Sequence, residues 1–187
     1  ALGQGLKAAG YNVRLLTNSN FETLVTGAGL VFSSTGESTE TIIQSDEWRK
    51  TLERGNFLSI LGQMQKEMKR YAAEISRRMP KLLAGSDLLV AGMGGISGVF
   101  SIAETLKIPI LQAYVNPFTP TREFPAPLVP KLPFGRVFNR LSYHVMRQMF
   151  WQSSKAVDVA TRQVMGLGKG SFWGPYQMLN RLQVPAL

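Results

Sequence analysis

Short apolar runs alternate with amphipathic helical stretches along this chain, and no other feature limits its fold as strongly. Residues 11–17, 30–33, 87–93 and 108–115 read as brief strands, rich in Leu, Val and Ile. Between them, Phe21, Leu24 and Val25 form a short helical face, and residues 97–106 form another helix. Over residues 47–83, Leu58, Leu61, Met64, Met68, Tyr71, Ile75 and Met79 recur every three or four positions. Lys66, Lys69, Arg70, Arg77 and Arg78 occupy the opposite face, with a weak point at Gly55, and Pro80 should kink or end this helix near its C-terminus. Apolar strands separated by helices pair in parallel and are covered on both sides, so the expected class is α/β: a parallel sheet with helices on both faces. At 187 residues the chain suits one domain, 1–187.

The ends carry a second expectation. ALGQGLKAAG reads as a helix closed by Gly10 and leads straight into the strand at Tyr11, which is the second half of a βαβ unit whose first strand is missing. Residue 1 is therefore expected not to be a natural start. The final VPAL reads as the beginning of another strand.

The absence of cysteine excludes disulfides, thiolate metal sites and a cysteine nucleophile, and no metal site is expected. The net charge of +9 is unevenly placed: from Phe124 to Leu187 there are eight basic residues and the single acid Asp158. That asymmetry points to one face with an anionic neighbour rather than to a nucleic-acid binder. Six of the ten prolines fall between Pro117 and Pro133, marking a long rigid loop; residues 135–167 then resume as one or two helices.

In parallel α/β sheets ligands bind beyond the carboxyl ends of strands, which directs attention to NSNFE after Thr17, GGISG after Met93 and NPFTPTREF after Val115. AGMGGISG departs from the dinucleotide fingerprint: Gly92 and Gly94 fit its first two glycines, but Ser97 stands where the pattern wants the third, with Gly98 one residue late. A tight turn, a cleft-lining loop and a phosphate site all remain readings of it. His144, the one histidine, sits between Arg140 and Arg147 with no nearby acid to orient it, and reads as structural or surface. Asp87 and Glu104 read as cap or packing residues, whereas Glu22 and Glu123 lie nearer the strand-end rim. Residues 132–151 interleave Phe134, Phe138, Leu141, Tyr143, Met146, Phe150 and Trp151 with Arg136, Arg140 and Arg147. Such a helix either lies in an anionic lipid interface, with Arg136, Arg140, Arg147, Phe150 and Trp151 as its contacts, or packs its aromatic face in a core with its arginines solvated.

Taken in order, ALGQGLKAAGYNVRLLTNSNFETLVTGAGLVF, DLLVAGMGGISGVFSIAETLKIPILQAYVNPFTPTREFP and GPYQMLNRLQVPAL resemble the N-terminal domain of the family 28 glycosyltransferases, nearest the sterol 3-beta-glucosyltransferase group. The resemblance implies a GT-B enzyme with two Rossmann-like domains, of which this chain is the N-terminal, acceptor-binding one. It implies no cofactor in this chain, a UDP-sugar donor such as UDP-glucose held by a C-terminal donor domain, and a catalytic base expected before Ala1. It implies inverting transfer of a hexose to a sterol, lipid alcohol or other hydrophobic acceptor, in a cytoplasmic protein able to sit on a membrane surface. Asn18, Phe21, Met93, Gly94, Gly95, Ile96, Asn116, Phe118, Thr119, Arg122 and Phe124 are the expected acceptor lining, with Met64 and Met68 as further wall. The competing reading is a non-catalytic membrane-surface or lipid-binding module with a Rossmann-like fold.

Overall fold

The computed structural model describes residues 1–36, 44–53, 55–127, 129 and 135–187. Most of the polar loop STGESTE, and Leu132, Pro133 and Phe134 of the proline-rich segment, lie outside the described residues. Two compact units are present, Ala1–Gln63 and Met64–Leu187.

The first unit runs through helix α1 (Leu2–Ala8), strand β1 (Arg14–Thr17), a 3-10 turn (Ser19–Phe21) leading into α2 (Glu22–Gly27), and strand β2 (Val31–Ser34). The two strands pair in parallel, Arg14 opposite Val31 and Thr17 opposite Ser34, as the helical crossover requires. Gly3 lets α1 approach the entry to β2, since a Cβ there would stand 2.9 Å from Leu30 Cδ1. Helix α3 (Asp46–Glu53) follows, and α4 (Phe57–Leu83) begins in this unit. The helical pattern over residues 47–83 is thus two helices, separated at Gly55, whose φ of +61° is open to glycine at little strain. Pro80 does not end α4: it lies in the last turn, and the helix runs on to Leu83.

The second unit contains β3 (Leu89–Ala91), α5 (Ile96–Leu106) and β4 (Ile110–Gln112), a parallel βαβ unit with Leu89 opposite Ile110 and Ala91 opposite Gln112. The C-terminal residues add to the free side of β4. Gln112 N donates to Pro185 O at 2.9 Å, Leu187 N to Gln112 O at 2.8 Å and Tyr114 N to Leu187 O at 3.1 Å. The extended reading of VPAL is therefore met, and β4 is paired on both edges. Helix α6 (Gly135–Val164) is a single element of 30 residues, roughly 45 Å long. Gly166, at φ +68°, closes it, with Leu167 N bonding back to Arg162 O at 2.8 Å. Helix α7 (Tyr176–Arg181) precedes the C-terminal strand segment.

The core of this unit lies where α5 meets α6. Helix α5 buries Ile96, Ser97, Val99, Phe100, Ser101, Ile102 and Ala103. At Gly98 a Cβ would meet Val157 Cγ1 at 3.4 Å, so the two backbones approach closely. Two serines of α5 buried by that approach are paired: Ser154 Oγ donates to Ser97 Oγ at 2.8 Å, and Ser101 Oγ donates to Asp158 Oδ1. Asp158 Oδ2 accepts from Arg162 Nε at 2.9 Å, and Asp158 is 4% exposed. The one acid of the last third is therefore an internal strut, which leaves that stretch of surface without its only counter-charge.

Two of the expected membrane contacts are corrected. Arg147 and Trp151 are 5% and 4% exposed, and Phe150 is half-buried. Their side of α6, with Tyr143 and Met146, is the core face, because a helix this long must bury one whole stripe against α5 and the loops.

Candidate functional site

The carboxyl ends of β3 and β4 carry the loops that sequence reasoning singled out. After Ala91 the chain makes a tight turn, with Gly95 N and Ile96 N both donating to Gly92 O at 3.1 Å before α5 begins. A Cβ on Gly92 would lie 3.5 Å from Ala113 O, so this turn passes close to the end of β4. Gly94 and Gly95 are exposed and Met93 is half-buried. Ile96 is fully buried, which removes it from the lining and makes it the first core residue of α5.

Beyond β4 the loop is tied to α6 at four successive points. Phe118 O accepts from Arg147 Nε at 3.1 Å, Arg122 O from Asn139 Nδ2 at 3.0 Å, the Glu123 carboxylate pairs with Arg136, and Ala126 N donates to Ser142 Oγ at 2.8 Å. Prolines stiffen this segment but supply no donors of their own, so α6 side chains take over the role that neighbouring strands serve in a sheet. Asn116, Thr119, Arg122 and Phe124 stay exposed on it, Phe124 at 46%. Phe118, at 2%, does not.

Phe118 instead centres an aromatic cluster. Its ring stands 5.4 Å from Tyr114, 5.9 Å from Phe150 and 5.9 Å from Tyr176. The Arg147 guanidinium lies 5.6 Å from the Phe118 ring and 5.1 Å from the Tyr176 ring, and it pairs with no carboxylate among the described residues. Planar and weakly hydrated, a guanidinium tolerates this aromatic setting where an ammonium would not. Burial pulls the Arg147 pKa below its ordinary value, while Tyr114 and Tyr176 push it up. Burial, with Tyr114 adding to it, drives the Tyr176 hydroxyl up, and Tyr114 is raised by its own burial. Both phenols therefore stay neutral. Tyr114 donates to Gln112 Oε1 at 2.5 Å, and Gln112 Nε2 donates to Val184 O at 3.1 Å, which links the cluster to the C-terminal strand. Arg147→Lys is expected to lower stability by about 1–2 kcal/mol in urea unfolding, since lysine can neither stack nor donate from the Nε position. A change under about 0.5 kcal/mol would show that the guanidinium does not hold the loop.

Sequence reasoning missed Tyr114, Gln112, Tyr176 and the inward aim of Arg147. A signal existed for the last: Arg147 lies four residues after Tyr143 and four before Trp151, on the apolar stripe. Met64 and Met68 are half-buried. A cleft of about 420 Å³ lies between α4 and α6, lined by Ala72, Ala73, Ala156, Val159 and Ala160 with Lys69 and Lys155 beside them; none of the strand-end residues lines it. In the first unit, Asn18 Oδ1 accepts from Thr35 Oγ1 at 2.9 Å beyond β1, and Phe21 is 39% exposed. His144 is exposed; burial first, then Arg147 and Arg140, hold its imidazole below the ordinary value and so neutral at pH 7. Among the described residues no His, Asp or Glu cluster has the makings of a metal site.

Comparison with known proteins gives these loops a context. The sterol 3-beta-glucosyltransferase of Cryptococcus neoformans var. neoformans serotype D (strain JEC21) is 30% identical over 175 residues, covering 92% of this chain and 11% of that protein. The chain is homologous to a segment of the sterol 3-beta-glucosyltransferases. Debaryomyces hansenii has a protein of the same description at 27% identity over 92% of the chain, and Yarrowia lipolytica one at 28% over 81%. The chain spans about a tenth of the length of these relatives, 10–11%. No family model matches it. Among solved structures, SsfS6, a glycosyltransferase of Streptomyces sp. SF2575, aligns at 20% identity with a TM-score of 0.44, covering 62% of this chain and 34% of that one. The resemblance to a family 28-like glycosyltransferase domain, read from the order of the segments, thus stands on similarity over 92% of this chain to a segment of the glucosyltransferase group. The α/β class stands on the parallel βαβ units themselves.

Proposed function

We propose that this chain is the acceptor-binding domain of an inverting glycosyltransferase that moves a hexose from a UDP-sugar, such as UDP-glucose, to the hydroxyl of a sterol or other lipid alcohol. The observation that carries the reading is the match to a sterol 3-beta-glucosyltransferase over 92% of the chain. The strand-end loops of the second unit support it: exposed Phe124, half-buried Met93 and the glycine turn 92–95 offer apolar surface with a few polar groups, as a flat hydrophobic acceptor needs. In the reaction a base removes the acceptor hydroxyl proton, the oxygen attacks the anomeric carbon with inversion, and UDP leaves with the electrons of the broken bond. His144, exposed and without a carboxylate partner among the described residues, is not assigned as that base. The donor would be held by a second domain of the same protein. No described helix is long and apolar enough to cross a membrane, and the enzyme is proposed to work in the cytoplasm at a membrane surface.

The test uses the protein with its whole reading frame, radiolabelled UDP-glucose and detergent-dispersed sterol. Transfer of label to the sterol is expected, and Phe124→Ala should raise the KM for sterol about tenfold while leaving that for UDP-glucose unchanged. Absence of transfer to every sterol offered, from a folded protein, would overturn this reading in favour of a non-catalytic lipid-binding module.

A further inference from the structure

The outward side of α6 is not an ordinary solvated face. Val137, Leu141 and Val145 recur every fourth residue along it and are 77%, 55% and 51% exposed. Arg140 and His144 are exposed on the adjacent row, and Arg136 stands at its start. On the next turn, Gln148, Trp151 and Gln152 all direct side-chain N–H groups at one acceptor, the Phe172 carbonyl, at 3.1, 3.0 and 3.4 Å.

That shared acceptor places an aromatic pair beside the end of the apolar row. Phe172 and Trp173 are 66% and 60% exposed, with ring centroids 5.3 Å apart and nearly perpendicular planes. Their backbone is tied down on both sides of the pair. Gly174, at φ +74°, follows with no room for a Cβ against the Trp151 ring, and Trp173 N donates to Ser171 Oγ at 3.1 Å. Two large apolar rings are thus held out into solvent by a fixed loop, where burial would have been favourable by about 2 kcal/mol each. Exposed apolar surface of this extent marks a place of association.

The surrounding charge identifies the partner. From Phe124 onward the only acid is Asp158, and it is buried against Ser101 and Arg162. Glu123 is engaged by Arg136. Arg122, Arg140 and Lys169 are exposed; Arg140 lies on the helix row beside Leu141, and Lys169 stands three residues before Phe172 in the chain. A ridge of branched aliphatic residues, an aromatic pair at one end and uncompensated cations alongside match the layering of an anionic bilayer: acyl boundary, interface and headgroup phosphate.

We infer that the face formed by Val137, Leu141, Val145, Phe172 and Trp173 docks on an anionic lipid surface, with Arg140 and Lys169 on the headgroups. The inference deepens the acceptor reading by naming the surface from which a lipid alcohol would be drawn, but its test involves no transfer. The chain is floated with vesicles of phosphatidylcholine alone, or with about 30% phosphatidylserine, each with and without sterol. Binding should be at least about tenfold tighter to the anionic vesicles, should fall with salt and should not require sterol. Phe172→Ser with Trp173→Ser, and separately Arg140→Glu with Lys169→Glu, should each reduce it about tenfold without moving the melting temperature, because all four residues are exposed. Brominated lipid should quench fluorescence that disappears in Trp173→Phe, since Trp48 and Trp151 are buried. Equal binding to both vesicle types, or binding retained in both double variants, overturns the inference. Failure here leaves the detergent-based transfer assay untouched, and failure of transfer leaves vesicle binding intact.

Discussion

Asp158→Ala should lower the melting temperature of the chain by about 10 °C, the equivalent of roughly 3–5 kcal/mol. The carboxylate receives Ser101 Oγ on one oxygen and Arg162 Nε on the other, with its side chain 6% exposed and that of Arg162 19% exposed. Alanine would strand the Ser101 hydroxyl, fully buried between α5 and α6, and take the carboxylate from Arg162, leaving its guanidinium the Gly168 carbonyl as acceptor. Exposed pairs are different: Arg78 with Glu74, at 44% and 53% side-chain exposure, contributes within the usual range of under about 1 kcal/mol. Asp158→Asn keeps an acceptor for Ser101 and should lose about half as much. Urea unfolding of both variants decides the matter. A loss below about 1 kcal/mol in the alanine variant would mean that the carboxylate is not the strut proposed.

Gly174→Val is expected to destabilise by about 3 kcal/mol or more. A side chain at this position is strained by the φ of +74°, and its Cβ would come within 2.5 Å of Trp151 Cδ2 and 2.7 Å of Cγ. A buried indole cannot swing aside, because its Nε1 is committed to the Phe172 carbonyl. The loop must shift instead, and with it the Phe172–Trp173 pair. The expected readout is a fall in melting temperature together with a changed tryptophan emission from the folded state. Gly168→Ala is the control: nothing lies within 4 Å of its Cβ and its φ is ordinary, so the change should stay within about 0.5 kcal/mol.

Particular elements show how much of this was legible in advance. The strands at Leu89 and Ile110 and the helix between them follow from apolar runs bounded by glycine and proline, although β3 buries Leu89 and Ala91 and leaves Val90 41% exposed. The break between α3 and α4 was marked by Gly55, but periodicity alone reads through a single glycine, and only its positive φ makes it a separation. Of the residues expected on the loop after β4, Asn116, Thr119, Arg122 and Phe124 are exposed. Phe118 and Ile96 were assigned to the same rim but lie in the core. Chain position puts a residue near the strand end, whereas the direction of its side chain depends on what packs above it.

Helix α6 divides the two sources of information most clearly. Composition established that its stretch would be helical, aromatic and basic, and that the last third would carry most of the net positive charge with Asp158 as its one acid. Tertiary structure decided which stripe is inside. The face with Tyr143, Met146, Arg147 and Trp151 meets α5 and the proline-rich loop, which leaves the plainer row of Val137, Leu141 and Val145 outside. The physical reason is that an amphipathic pattern with arginine on its apolar stripe has two ways to turn. The choice rests on whether a distant partner can take the guanidinium, and here that partner is the Phe118 carbonyl with the rings of Phe118 and Tyr176, 29 residues away in each direction along the chain.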